Sequence, residues 1–325
     1  MMSSGSQGKE ASMPAVKKRK RAVQSQDLVG EKPPTDYSIW TLAYCQADMP
    51  YDFFGGSGLM SNRGTIQIPM LYTVLVGGAQ GQKKHVVLVD AGFGNQDWMS
   101  RYRFFGWEDP STVLAKIGLT PADVDAILVT HLHFDHIGNF SAFPNAHLYI
   151  QLDEYMGWLR TLSLPKDFGG GERSWILSSL DPQDIHNVAI AISQDRATLI
   201  EGDVEVLPGI TAHLAKDSHT FGTQWFEVQT RNGLFAIAGD AVYWYSNIEK
   251  MWPPGYNQGN PFNQLFTYEH IRKTLSRELE RLIPGHDPLV WQHHRTWTTG
   301  PNEVAEVNLA KGQRSRKHRK KNKKA

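Results

Sequence analysis

The segment DAILVTHLHFDHIGNF, Asp125 to Phe140, constrains this 325-residue chain more tightly than any other. An apolar run, Ala126 to Val129, reads as a buried strand, and directly behind it stand His131, His133, Asp135 and His136. Packing alone gives histidine and aspartate little reason to crowd a strand end. In extended geometry, side chains two residues apart share a side, so His131 and His133 can reach one ion. Asp135 and His136 can diverge toward a second ion if the chain turns, a turn that Gly138 is expected to permit. Neutral imidazoles and carboxylates suit borderline divalent metals, zinc first. One loop cannot complete two coordination spheres, so further ligands must come from other strand ends. His219 precedes the apolar QWFEV, Asp240 follows LFAIAG, and His286 follows the Pro284-Gly285 turn, each where a loop leaves a regular element.

The rest of the composition bounds the setting. A hydrophobic content of 40% is enough to bury the core of one large domain, or at most two. The single cysteine, Cys45 in IWTLAYCQADM, excludes an intrachain disulfide and reads as a buried small side chain. There is no apolar run of about 18 residues and no signal-peptide-like stretch near the amino end, so the expectation is a soluble cytoplasmic protein without membrane insertion. Charge is uneven. Residues 1–35 carry seven Lys/Arg against three acids, and residues 311–325 carry nine against none. Residues 36–310 therefore hold a net charge of −12 within a formal total of +1. The reading is two disordered basic tails, 1–35 and 311–325, around one folded body, 36–310. The KKRKR run from Lys17 to Arg21 is a candidate polyanion patch, but the acidic body and the lack of interleaved aromatics argue against specific nucleic-acid recognition. Adhesion of a tail to the acidic body of a second copy leaves a homo-oligomer open.

Along the body, many short strands with helices at irregular intervals predict an α+β layered fold rather than a doubly wound one. Neither GxGxxG nor GxxxxGK occurs, so nucleotide binding has no support. GGSGLMSNRG reads as a glycine-rich loop, Glu201-Gly202-Asp203 as a tight turn, and Arg231-Asn232-Gly233 as a hairpin turn. The passage 161–194 is irregular and rich in Pro, Gly and Trp, which predicts an inserted helical or loop segment. In EHIRKTLSRELERLIPGH, the spacing of Ile271, Leu275, Leu279 and Leu282 predicts an amphipathic helix ending before Pro284-Gly285.

The motifs THLHFDHIGN, SHTFG, AGDAVY and IPGHDP, within roughly Ile39 to His293, resemble those of the metallo-beta-lactamase fold hydrolases, and among them the N-acyl-homoserine lactonase branch. The resemblance implies a four-layer αβ/βα sandwich holding two divalent metal ions per chain, Zn2+ first. One would take His131, His133 and His219, the other Asp135, His136 and His286, with Asp240 bridging them. It also implies that Asp90, in the DAG motif, supports a ligand histidine by hydrogen bonding. Tyr243, three residues after Asp240, and Phe134 match lactonase-like choices. The implied reaction is opening of a lactone ring by a bridging hydroxide, with an N-acyl-homoserine lactone as a candidate substrate and quorum quenching as the consequence. Tyr243 would stabilise the oxyanion and Asp135 would carry the proton. Hydrolysis of an amide, cyclic imide, aryl ester or phosphotriester on the same metals is the alternative, and a metal-stabilised binding protein is the non-enzymatic one. Trp98, Phe104, Phe105, Trp107, Trp244 and Trp252 are expected to supply an apolar face for a small, apolar or weakly charged substrate. His85, His147, His186, His213, His293 and His294 have no comparable context and read as surface or strand-end residues.

Overall fold

The computed structural model describes residues 34–55, 63–168 and 175–316. Most of the amino-terminal tail with its KKRKR run, the end of the carboxy-terminal tail, most of the glycine-rich loop and residues 169–174 of the 161–194 passage lie outside the described residues.

Two sheets are formed. The larger one runs β13 (Arg295–Thr299), β14 (Asn302–Asn308), β1 (Thr35–Pro50), β2 (Thr65–Ala79), β3 (His85–Val89), β5 (Ala126–Leu128), β6 (His147–Gln151) and β7 (Ala197–Ile200), with the short β4 (Phe104–Phe105) on β1. Its β13 to β3 half is antiparallel and its β3 to β7 half is parallel. The smaller sheet runs β12 (Leu282–Pro284), β11 (Gly233–Gly239), β10 (Gln224–Thr230), β9 (Ile210–Leu214) and β8 (Val204–Leu207).

Strand alternation assigns each face to a layer. On β3 the side chains of Val87 and Val89 enter the core between the sheets, while Leu88 points to the helical side. Ala126 and Leu128 of β5 face the inner core and Ile127 the outer one. On β11, Phe235 and Ile237 meet the first sheet, and Ala236 and Ala238 face the helix Pro261–Thr274 through Tyr268 and Ile271. The helices Leu152–Leu162 and Pro182–Ser193 cover the other side through Trp158, Ile185 and Val188. The result is the four-layer αβ/βα sandwich expected, with the central strands β3, β5 and β11 buried on both faces and therefore apolar almost throughout. Among the described residues no helix is long and apolar enough to cross a membrane.

Two local expectations are corrected. The helix predicted to run through Leu282 begins instead at Pro261, capped by Asn260, and stops at Thr274. Ser276 and Arg277 then take left-handed φ values of 50° and 67°, so Leu279 lies in a 3-10 turn and Leu282 opens β12. The apolar spacing survives because the last two leucines pack against the same core from a different element. At Gly138, φ is −63°, an ordinary helical value. The turn after His133 is the one-turn helix Phe134–Ile137, and glycine is needed beyond it because a Cβ would run into the Phe134 carbonyl and the Phe93 backbone. The Glu201-Gly202-Asp203 turn is present and carries the chain from β7 in one sheet to β8 in the other.

Candidate metal centre

The candidate residues meet at one edge of the sandwich, where β3, β5, β11 and β12 end. His131 and His133 leave β5, His219 sits in the loop between β9 and β10, Asp240 follows β11, and His286 follows β12. Gly239 holds φ at 48° and packs its Cα against Thr130, which lets β11 end beside the histidine loop.

The side chains form two groups, His131, His133, His219 and Asp240, and Asp135, His136 and His286, with ligand-type atoms within 4.8 Å of one another in each group. Asp240 faces both. Its Oδ2 lies 3.6 Å from His131 Nε2 and 3.5 Å from His219 Nε2. Its Oδ1 lies 3.4 Å from His136 Nε2 and 3.1 Å from His286 Nε2. Asp135 Oδ2 closes the second group at 3.5 Å from His136 Nε2 and 3.7 Å from His286 Nε2.

The opposite ring nitrogens show which lone pairs face inward. Thr130 Oγ1 donates to Asp90 Oδ2 at 2.9 Å, so it accepts from His131 Nδ1 at 3.0 Å and leaves the lone pair on Nε2. His136 Nδ1 donates to Asp90 Oδ2 at 2.7 Å. His286 Nδ1 donates to the Pro69 carbonyl at 3.0 Å, which turns Nε2 toward the cluster. Asp90 lies beside a histidine of the cluster and accepts from the Thr130 amide as well at 2.8 Å.

Electrostatics separate the groups. Burial, reinforced by neighbouring imidazoles, holds His131 well below its usual range. Burial also takes His133 down to about 4 and His219 to about 3, so these rings are neutral donors at pH 7. For His136, burial is outweighed by Asp240, Asp135 and Asp90, which together raise it well above its usual range. His286 is likewise raised, with Asp240 again opposing burial. Asp240 is buried, yet His136 and His286 keep it well below the carboxylate range. His131 Nε2, His136 Nε2 and Asp240 Oδ1 are buried and make no hydrogen bond among the described residues. Buried polar atoms require a partner, and a cation coordinated between these atoms would provide one. The donor set of imidazole nitrogens and carboxylate oxygens therefore fits divalent metal.

Above the cluster lies a narrow cleft of about 40 Å³, walled by Met49, Phe53, Phe54, Met70, Phe104 and Phe134 and by Tyr102, Tyr243 and Tyr256. Tyr243 is buried against Phe54, His219 and His286, with ring centroids at 4.7, 5.3 and 5.7 Å. Of the aromatics expected to form an apolar face, Phe104 lines the cleft. Trp98 lies behind it, stacked on Phe134 at 3.8 Å, and Trp244 is buried in the core. Trp252 and Phe105 are exposed. Cys45 is buried and its thiol is pushed up to about 12, burial being the main cause.

Several participants carry no readable signal in the sequence. Glu154 is 1% exposed and accepts from Leu132 N at 2.9 Å, Trp158 Nε1 at 2.8 Å, Thr220 Oγ1 at 2.7 Å and Gly222 N at 2.7 Å. It thereby ties the His131–His133 loop to the loop bearing His219. Burial pushes its carboxyl up while these donors pull it down. A buried acid three residues into a helix looks, in sequence, like any first-turn glutamate. Thr130, Tyr256 and Gln258 were missed because Asp90, Ser178, Ser179 and His133, the groups they hold, are remote from them in the chain.

A buried histidine and aspartate cluster at the edge of a four-layer αβ/βα sandwich, beneath an apolar cleft, defines a metal-centred hydrolase-like scaffold. The sequence profile of the metallo-beta-lactamase superfamily matches residues 72–286, and the chain belongs to that superfamily. Among characterised relatives, an N-acyl homoserine lactonase of Bacillus thuringiensis is 28% identical over 176 residues, covering 54% of this chain and 60% of the relative. The N-acyl homoserine lactonase AttM of Agrobacterium fabrum is 26% identical over 180 residues, covering 55% and 64%. The chain thus matches somewhat under two thirds of the length of these relatives. Among solved structures, a quorum-quenching N-acyl homoserine lactone lactonase superposes with a TM-score of 0.59 at 21% identity, over 81% of this chain and 97% of that one. AidC, a dizinc quorum-quenching lactonase, gives 0.58 at 18%, over 84% and 94%. At these identities the structural likeness speaks for the fold.

Proposed function

We propose that the chain is a dinuclear metal-dependent hydrolase that opens lactone rings, with N-acyl-homoserine lactones as the substrate class that fits best. One observation carries the reading: the two oxygens of Asp240 face two separate groups of ligand-type atoms at the floor of an apolar cleft. His131, His133 and His219 would hold one ion, Asp135, His136 and His286 the other, and Asp240 both, with zinc favoured by the nitrogen and oxygen donor set. Two such ions supply a water of lowered pKa and polarise the substrate carbonyl.

The chain's own side chains do the rest. Burial, then the negative Asp240, raises the Tyr243 phenol well above its usual range, so it remains an O–H donor at neutral pH. Placed beside His219 and His286, that donor meets the oxygen on which charge develops as the ring carbonyl becomes tetrahedral. Asp135 lines the cleft and can pass a proton to the departing ring oxygen, which stays attached to the hydroxy-acid product. The Met and Phe walls bind the uncharged part of the substrate and keep bulk water from the reacting carbonyl.

The test is a hydrolysis panel on metal-replete protein, with acid release followed by a pH indicator. Acyl-homoserine lactones are expected to be the preferred substrates, ahead of aryl esters, cyclic imides, amides and phosphotriesters. Preference for any of those with lactones untouched would replace the substrate assignment. Protein that neither holds divalent metal nor loses activity to a chelator would remove the mechanism.

A further inference from the structure

His133 meets its group through Nδ1, which lies 3.1 Å from His219 Nε2. Its Nε2 points the other way, to Gln258 Oε1 at 2.8 Å. The orientation of that amide follows from its far end. Gln258 Nε2 lies 3.1 Å from the Trp175 carbonyl and 3.2 Å from the Ile176 carbonyl. Carbonyl oxygens only accept, so this end must be the donating NH2, and the end facing His133 must be the acceptor. An acceptor there requires a proton on His133 Nε2. A neutral imidazole carries one proton, which leaves the His133 lone pair on Nδ1, facing the site.

The same contacts tie this ligand to the cleft wall. Tyr256, two residues before Gln258, stacks on Phe53 at 4.5 Å and places its hydroxyl 2.9 Å from both Ser178 Oγ and Ser179 Oγ. The Ser179 carbonyl in turn accepts from Phe134 N at 2.9 Å, one residue beyond His133. Segments 133–134, 175–179 and 256–258 therefore form a closed ring of hydrogen bonds beside the cleft. Thr130, Asp90 and Pro69, which hold the outward nitrogens of His131, His136 and His286, sit on or directly after sheet strands. The holder of His133 sits on a loop that also builds the wall.

We propose that Gln258 is a positioning residue: it fixes His133 in the tautomer that ligates through Nδ1 and couples that ligand to the 175–179 segment, which reaches the substrate cleft at Ser179. The inference rests on the metal-site reading above.

Two variants of the full chain separate the halves of the claim. Gln258→Leu keeps the bulk and removes the acceptor. Gln258→Glu keeps an acceptor for His133 Nε2 and removes both donors to the wall. The readouts are Zn2+ affinity by competition with a chromogenic chelator, the thermal midpoint of metal-free protein, and kcat and KM. Gln258→Leu is expected to weaken one of two bound ions by about 10- to 100-fold, the usual range for losing an outer partner of a ligand histidine, with the metal-free midpoint no lower than in Gln258→Glu. Gln258→Glu is expected to recover most of that affinity while KM rises. Wild-type affinity in Gln258→Leu, or equal loss of affinity in both variants with a lowered metal-free midpoint, overturns the proposal. Wild-type protein that binds no divalent ion overturns the metal-site reading instead, and that result is visible before either variant is made.

Discussion

At the scale of single residues, Tyr243 is the sharpest test of the chemistry. Its hydroxyl is the protein donor we place at the developing oxyanion, and burial holds it protonated. Removing one such donor costs about 3 kcal/mol of transition-state stabilisation. Tyr243→Phe is therefore expected to lower kcat by roughly 100-fold with KM nearly unchanged, because the ring's packing against Phe54 is retained. Unchanged steady-state kinetics across the lactone series would return Tyr243 to a packing role. Much of this site could be read from the sequence because its chemistry is concentrated: four candidate ligands fall within six positions, and Tyr243 is three residues from Asp240. The outward partners of those ligands could not. Gln258 is 125 residues from His133, and Pro69 contributes only a backbone carbonyl to His286, so neither leaves a mark in local spacing.

At the scale of elements, periodicity gave the existence of most strands and failed at a helix boundary. Ile271, Leu275, Leu279 and Leu282 share one core, but the chain between them turns through left-handed Ser276 and Arg277, neither of which is a glycine that would have marked the stop. The helix Leu152–Leu162 presents a different case, an element whose main task leaves no mark in local spacing. Through Glu154 it clamps two loops of the candidate metal centre, accepting two backbone N–H groups, the Thr220 hydroxyl and the Trp158 indole. Glu154→Ala strands these donors in a dry site, at roughly 1–3 kcal/mol for each one left unsatisfied. A loss on the order of 3–5 kcal/mol is expected in urea titrations of metal-free protein, where ion binding cannot contribute. Gln at this position should fall between, since its amide keeps an acceptor for some donors but turns N–H toward another. A Glu154→Ala midpoint matching wild type would show that the clamp is dispensable.

At the scale of the whole molecule, the candidate ligands are divided between the two sheets. His131, His133, Asp135 and His136 follow β5 of the larger sheet, whereas His219, Asp240 and His286 follow strands of the smaller one. Ions bound among them would staple the sandwich at one edge, and free energy of binding to the folded state alone adds to its stability. A single ion present at about 1,000 times its dissociation constant contributes about 4 kcal/mol. For a body of this size that corresponds to a midpoint shift on the order of 10 °C. The core between the sheets, from Val87 and Leu128 across to Phe226 and Ile237, is made of apolar side chains and contains none of the candidate ligands. Chelation should therefore leave the far-ultraviolet circular dichroism near native at 25 °C while lowering the calorimetric midpoint by that amount, and returning Zn2+ should restore it. Elemental analysis on the same samples decides the matter: metal shown to be gone with the midpoint unmoved would mean that the two sheets hold this edge without ions.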